Sequence, residues 1–478
     1  MLTTGTMALA AGKTEVPADK LHDKIRGGLL GHILGDLNGL EHEMKYIAKP
    51  GSVVHYVPAL PDGAWTDDDT DVEWVYIIEM ERSRTLLIPP ARIAELWKRH
   101  INRRIWCSHL FLRQLFDIGL QPPATGSVVI NPWAEFNLSA QFVSESWGLI
   151  SPGMPQTAAR IGTHYTHVSI DGEPIQATQL FTAMIATAFV TSDINKILDA
   201  GLAAIDPASE MHRLILDVRQ WHKQYPDDWR VTRRLLKEKY AAHGGVDMRD
   251  RNGIKLNGGS AVAAMLYGQG NWVETIRHAF NFGWDADNNA ATAGCIVGVI
   301  KGWEWMINQG WNIRDVFRNT SRDGMPSDET ITRFGNRLIT VAEQNIAEHG
   351  GTKTTVNGKT VYSIRTEDPA NIERLSDPQK QFAGLRASLK PEIEESIAHR
   401  ASTQRQARAA YLAICLDLAQ ELMQRYPEGW TQAIAALSSF PKLMQVIFYQ
   451  SAIPAGETIR QKALAAGLKK PDKQEKFE

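Results

Sequence analysis

Gly27-Gly28-Leu29-Leu30-Gly31-His32-Ile33-Leu34-Gly35-Asp36-Leu37-Asn38-Gly39 reads as a helix interrupted by glycines that runs into a glycine-rich turn, with Glu41 and Glu43 just beyond. Its phase is set upstream, where Leu21, Ile25, Leu29 and Ile33 recur at helical spacing. Taken alone, the segment is a packed helix with a C-terminal cap. Two later segments share its small-residue character. One spans 260–267 after Asn257-Gly258-Gly259. The other spans 289–299 and carries Ala290, Ala291, Ala293, Gly294 and Gly298. A glycine inside a helix costs roughly 1 kcal/mol against alanine. Its repeated use there predicts crossings at which backbones approach closely. Helical periods also cover 70–82, 91–103, 177–189, 193–204, 210–220 and 229–240, while strand alternation is scarce. The fold class is therefore all-α.

The chain has 478 residues, more than a single small core needs, so two domains or one large domain with an appendage are expected. Lysine and arginine total 52 and aspartate and glutamate 54, for a net charge of −2. That balance gives no electrostatic reason to bind nucleic acid or an anionic membrane. No run of 18 apolar residues exists to span a bilayer. Cys107, Cys295 and Cys415 are too few and too scattered for a disulfide framework or a zinc motif.

Residues 1–20 read as a leader. Met1 to Ala11 is apolar, and Ala8-Leu9-Ala10 resembles a signal-peptidase site without a basic n-region. As the remnant of a signal peptide it would favour export to the periplasm; otherwise the chain is cytoplasmic. Residues 21–346 form the expected main domain. Residues 347–478 form a C-terminal extension that opens with a β-hairpin turning at Asn357-Gly358 and continues as helices, including a long one over 391–425. The Pro-, Gly-, Ser- and Asn-rich stretch 121–162 is expected to be loops.

Several motifs fail. His42-Glu43 has Tyr46 where a zinc protease needs its second histidine, and the calcium-loop start at Asp285 has Ala290 and Ile296 where Gly and Glu are required. Two acidic segments survive. Trp65-Thr66-Asp67-Asp68-Asp69-Thr70-Asp71 places four aspartates within five residues at a helix start. A helix N-terminus welcomes negative charge, but one capping aspartate meets that need. Gly283-Trp284-Asp285-Ala286-Asp287-Asn288-Asn289 places two carboxylates on one side of an extended turn before an apolar helix, with few basic residues near in sequence. Partly buried carboxylates need partners. Two such turns suggest one shared all-oxygen site for a hard cation: Mg²⁺, Mn²⁺ or Ca²⁺.

In this order, the three elements resemble the ADP-ribosylglycohydrolase family, which includes enzymes that remove ADP-ribose from modified proteins and the J-crystallins. The match rests on Gly35-Asp36-Leu37-Asn38-Gly39 with Glu43, on Thr66-Asp67-Asp68, and on Gly283-Trp284-Asp285-Ala286-Asp287-Asn288. The resemblance implies an orthogonal multi-helix bundle over about 21–345. It implies two Mg²⁺ ions held by Thr66, Asp67, Asp68, Asp285 and Asp287, with Asn288 standing where the family has threonine. It also implies Glu43, Asp285 and Asp287 as catalytic groups, and it makes His167, in Thr166-His167-Val168-Ser169, a substrate contact. The family's diphosphate-cradling Gly-Asn-Gly loop has no clear counterpart; Ser151-Pro152-Gly153-Met154-Pro155 stands there, with Arg160 as a partial replacement. The expected function is metal-dependent hydrolysis of an N- or O-glycosidic bond in ADP-ribose, an ADP-ribosylated substrate or a related small glycoside. The alternative is a non-catalytic, crystallin-like or ligand-binding relative.

Overall fold

The computed structural model describes residues 12–475 apart from 243, 245, 246, 400 and 450–453. The leader segment Met1 to Ala11 lies outside the described residues. The rest of the expected leader does not behave as one. Lys13–Pro17 is a strand, and the opening helix starts directly after it, over Ala18–Gly39. The strand pairs antiparallel with Lys359–Arg365, Lys13 opposite Arg365 and Pro17 opposite Val361. Thr352–Val356 flanks the other side, and Asn357 and Gly358 turn the hairpin at positive φ as that residue pair predicts.

Everything else of substance is helical. The opening helix lies along Ala286–Lys301, with glycines at the contact. A Cβ on Gly35 would stand 2.2 Å from the Ala290 carbonyl oxygen, and one on Gly39 would stand 2.3 Å from the Asp287 Cα. Only glycine permits that approach, so the close crossing expected from the small residues is real. Both helices are buried on nearly every side: the opening helix from Gly27 to Leu37, and its partner from Ala286 to Val299. Ile254–Gly268 and Trp272–Phe282 pack beside them. The main cluster of buried apolar side chains runs from Leu21 to Leu468, so the helices after residue 378 share it.

Two expectations are corrected. The stretch 121–162 is not all loop. Pro155–Thr166 is a helix with Pro155 in its first turn, where a missing N–H costs nothing. The long helix over 391–425 is three: Pro378–Ala398, Thr403–Cys415 and Ala419–Arg425. Ser402 caps the second by accepting from the Arg405 N–H, and Asp417 adopts positive φ before the third. No helix among the described residues is long and apolar enough to cross a membrane.

Candidate metal centre

The acidic helix, Asp68–Ser83, begins where a short parallel strand pair fixes the chain: Ala64–Trp65 against Phe317–Arg318. Thr66 continues this anchor. Its hydroxyl accepts from the Thr320 N–H at 2.8 Å and from the Ser321 hydroxyl at 2.9 Å. Asp71 is held by Arg322 at 2.7 Å, both side chains fully buried. Burial raises the Asp71 carboxyl to about 6 against the pull of Arg322. Thr66 and Asp71 thus position the helix start, and the oxygen of Thr66, expected as a ligand, accepts two hydrogen bonds.

The second acidic segment is a helix start rather than an extended turn. Gly283 and Trp284 take positive φ, Asp285 is the N-cap of Ala286–Lys301, and Asp287 lies in the first turn. The backbone N–H of Asp285 and the amide of Asn289 both donate to Asn257 Oδ1 at 3.0 Å. Asp193, Asp228, Asp247 and Asp377 are N-caps whose carboxylates accept backbone N–H groups. Asp285 makes no such cap bond. Its carboxylate instead accepts from Asn252 Nδ2 at 3.2 Å and faces a cavity of about 840 Å³.

Glu43, Asp67, Asp68, Asp69, Asp285 and Asp287 all line that cavity. Carboxylate oxygens of Asp36, Asp67, Asp69 and Asp287 lie within 4.8 Å of one another, as do those of Glu43, Asp285 and Asp287. Asp287 belongs to both groups. Asp36, 0% exposed, rises into the first group from the end of the opening helix. Both of its carboxylate oxygens, Asp287 Oδ1 and Asn288 Oδ1 are buried without a hydrogen-bond partner. Asn288 Nδ2 donates to Asp69 Oδ1 at 3.0 Å, and His32 Nε2 donates to the Asp69 carbonyl at 3.1 Å. Burial drives His32 down to about 4, so its ring is neutral there.

Burial pushes Asp36 well above the ordinary carboxylate range, and the charges of Asp67 and Asp287 push it further. Burial and then Asp287 do the same to Asp69, and burial and then Asp285 to Asp287. Glu43, at the mouth, is raised by burial and by Asp67. Crowded carboxylates with orphaned oxygens suit a hard divalent cation, which takes oxygen ligands and removes the repulsion.

Of the residues expected from sequence, the fold brings Glu43, Asp67, Asp68, Asp285, Asp287 and, behind them, Asn288 together. Two fall elsewhere. His167 does not line the cavity; it pairs with Glu373 at 2.9 Å, at the end of the Pro155–Thr166 helix. Arg160 lines a separate depression with Leu87 and His349. Pro155–Thr166, expected to be loop as far as residue 162, is a helix that carries Arg160 and ends at His167. Asp36 and Asp69 were missing from the expected ligands. Asp36 is visible in sequence only as the acid of the Gly-Asp-x-x-Gly turn.

The all-α fold gathers two carboxylate groups that could each hold a cation at the ends of three helices. A family model described as ADP-ribosylglycohydrolase matches residues 17–347, and the chain belongs to that family. No curated protein matches the chain. The family match covers both acidic helix starts and the opening helix, and it supports a glycohydrolase of the ADP-ribosyl type.

Proposed function

We propose that the protein is a divalent-cation-dependent hydrolase cleaving an N- or O-glycosidic bond of ADP-ribose, or of a related ribosyl compound, attached to a small molecule or a protein. The observation that carries this reading is the sharing of Asp287 between two ligand-sized carboxylate groups. Asp36, Asp67, Asp69 and Asp287 would hold one cation, and Glu43, Asp285 and Asp287 a second, with Asp68 on the adjoining wall. Bound Mg²⁺ ions would neutralise the floor and polarise sugar oxygens.

The chain's own groups divide the remaining work. Glu43 stands at the solvent side of the floor with a raised proton affinity, which suits it to take a proton from the attacking water. Asp285, fixed by Asn252 and by its own N–H on Asn257, keeps an oxygen toward the cavity and orients that water. As the bond at the anomeric carbon breaks, the leaving group carries its electron pair away and the water oxygen takes its place at carbon. The surrounding carboxylates favour the positive charge that develops there.

The test is calorimetric titration of metal-stripped protein with Mg²⁺ and then ADP-ribose, followed by turnover of an ADP-ribosylated substrate. Asp67→Asn and Asp285→Asn should each lower turnover by at least roughly 100-fold with the fold intact. Full activity in both would sink the shared site. Asn288, tied to Asp69 where relatives carry threonine, favours a second reading: a ligand-binding relative that holds the cation without turnover. Mg²⁺ and ADP-ribose binding with no hydrolysis would select it.

A further inference from the structure

The cavity has a second pole that owes nothing to the carboxylates. Besides the acidic residues its lining includes Arg104, Trp106, Trp133, Met248, Arg251 and Tyr449. Tyr449 lies beyond the family-matched residues 17–347 and ends the helix Pro441–Tyr449, which packs on Cys107–Asp117. The C-terminal segment therefore builds part of the wall.

Tyr449 has two contacts of its own within the C-terminal segment. The Tyr449 hydroxyl donates to the Pro471 carbonyl at 2.6 Å, and Lys470 sits 4.7 Å from the centre of its ring. Trp106 is 53% exposed, unusual for tryptophan, and is flanked by Arg104 and Cys107 at positive φ. Strained backbone of this kind clusters at ligand clamps and active sites. Two of the lining residues carry an unused donor. Trp133 Nε1 and Arg251 Nε are buried with no hydrogen-bond partner. Arg104 adds a second guanidinium at the rim. Flat rings, unsatisfied N–H donors and positive charge complement a planar group joined to an anion.

We propose that Tyr449 is a specificity-determining residue of this active site, and that with Trp106 it stacks on a planar part of the substrate whose attached anion is held by Arg104 and Arg251. The proposal rests on the reading of the cavity as the active site, and it moves part of that site into the C-terminal segment. The floor selects the reacting sugar through cations; the wall selects what the sugar is attached to.

The test uses the full chain with AMP, which is planar and anionic, and ribose 5-phosphate, which is anionic without the plane. Binding is read by calorimetry and by quenching of tryptophan fluorescence. Tyr449→Ala and Trp106→Ala should each weaken AMP roughly ten-fold, in line with the loss of one stacked base. Tyr449→Phe keeps the ring and should bind AMP as the wild type does. Ribose 5-phosphate and Mg²⁺ binding should be unmoved by Tyr449→Ala. If that variant does not fold, Tyr449→Leu, which keeps apolar bulk without a flat ring, takes its place with the same expected loss, and Trp106→Ala alters an exposed side chain. The proposal is overturned if AMP does not bind the wild type, if Trp106→Ala and Tyr449→Ala bind it unchanged, or if Tyr449→Ala weakens AMP and ribose 5-phosphate alike. Wild-type protein that binds AMP but no Mg²⁺ would end the metal-dependent reading and leave the wall standing.

Discussion

Asp36 shows how far a single residue can be read from sequence. Within the Gly-Asp-x-x-Gly turn it looks like the acid of a helix cap. In the fold it is the most deeply buried carboxylate of the centre, with neither oxygen satisfied. Nothing local announces this, because its neighbours Asp67, Asp69 and Asp287 come from other helices. Asp69 is similar: next to Thr66-Asp67-Asp68 it looks like a departure from the family pattern, yet it joins the first ligand group. Thr66, expected as a ligand, is also tied to Thr320 and Ser321, some 250 residues away, and nothing near it in sequence shows that tie. Burying an unpaired carboxylate is costly, and an amide of the same shape avoids the charge. Asp36→Asn should therefore raise the melting temperature of the metal-free protein by a few degrees while abolishing the gain that Mg²⁺ gives the wild type. Differential scanning fluorimetry with and without Mg²⁺ reads both effects. An unchanged Mg²⁺ response would remove Asp36 from the centre.

At the level of the element, the periodic stretches were legible and the punctuated ones were not. The helices Trp229–Tyr240 and Ile194–Ala203 follow the apolar spacing almost to the residue. The stretch 121–162 misleads because its prolines and glycines also serve helix starts and close packing; Gly148 and Gly162 both sit against neighbouring side chains. The glycine contact between the opening helix and Ala286–Lys301 was legible as a crossing, but not as the device that aligns the centre. Its last position, Gly39, touches the backbone of Asp287 itself. A methyl group there must push the second acidic helix start away from the first. Gly39→Ala should destabilise the protein by about 1–3 kcal/mol, as overpacking does. It should also weaken Mg²⁺ binding more than its stability loss alone would suggest. Gly258→Ala is the control, since a Cβ there meets nothing closer than 3.5 Å. Equal Mg²⁺ affinity in the two variants would separate the crossing from the centre.

For the molecule as a whole, the proposed cation would compete with protons for the same oxygens. In the metal-free protein, Asp36, Asp68, Asp69, Asp285 and Asp287 bind protons more tightly folded than unfolded, chiefly through burial. Their contribution makes stability fall as pH rises above the ordinary carboxylate value of 3.8. The buried histidines oppose this: His32 and His278 are lowered to about 4, so the unfolded chain takes up protons first as pH drops below 6.5. The difference between Mg²⁺-saturated and metal-free melting temperatures removes the histidine contribution. That difference should shrink steadily as pH falls from about 8 to 6, because metal ligands must be deprotonated. A pH-independent difference would place the cation away from these carboxylates. The contact between the opening helix and Ala286–Lys301 also sets a timetable for synthesis. A ribosome adding about 5–20 residues per second needs roughly 12–50 s to travel from the end of one helix to the start of the other. Throughout that interval the nascent chain carries a glycine-faced helix with nothing to lie against, and Asp36 without Asp287. A cation held as proposed could be captured only after that wait, so its supply would govern maturation of the finished chain rather than its early folding.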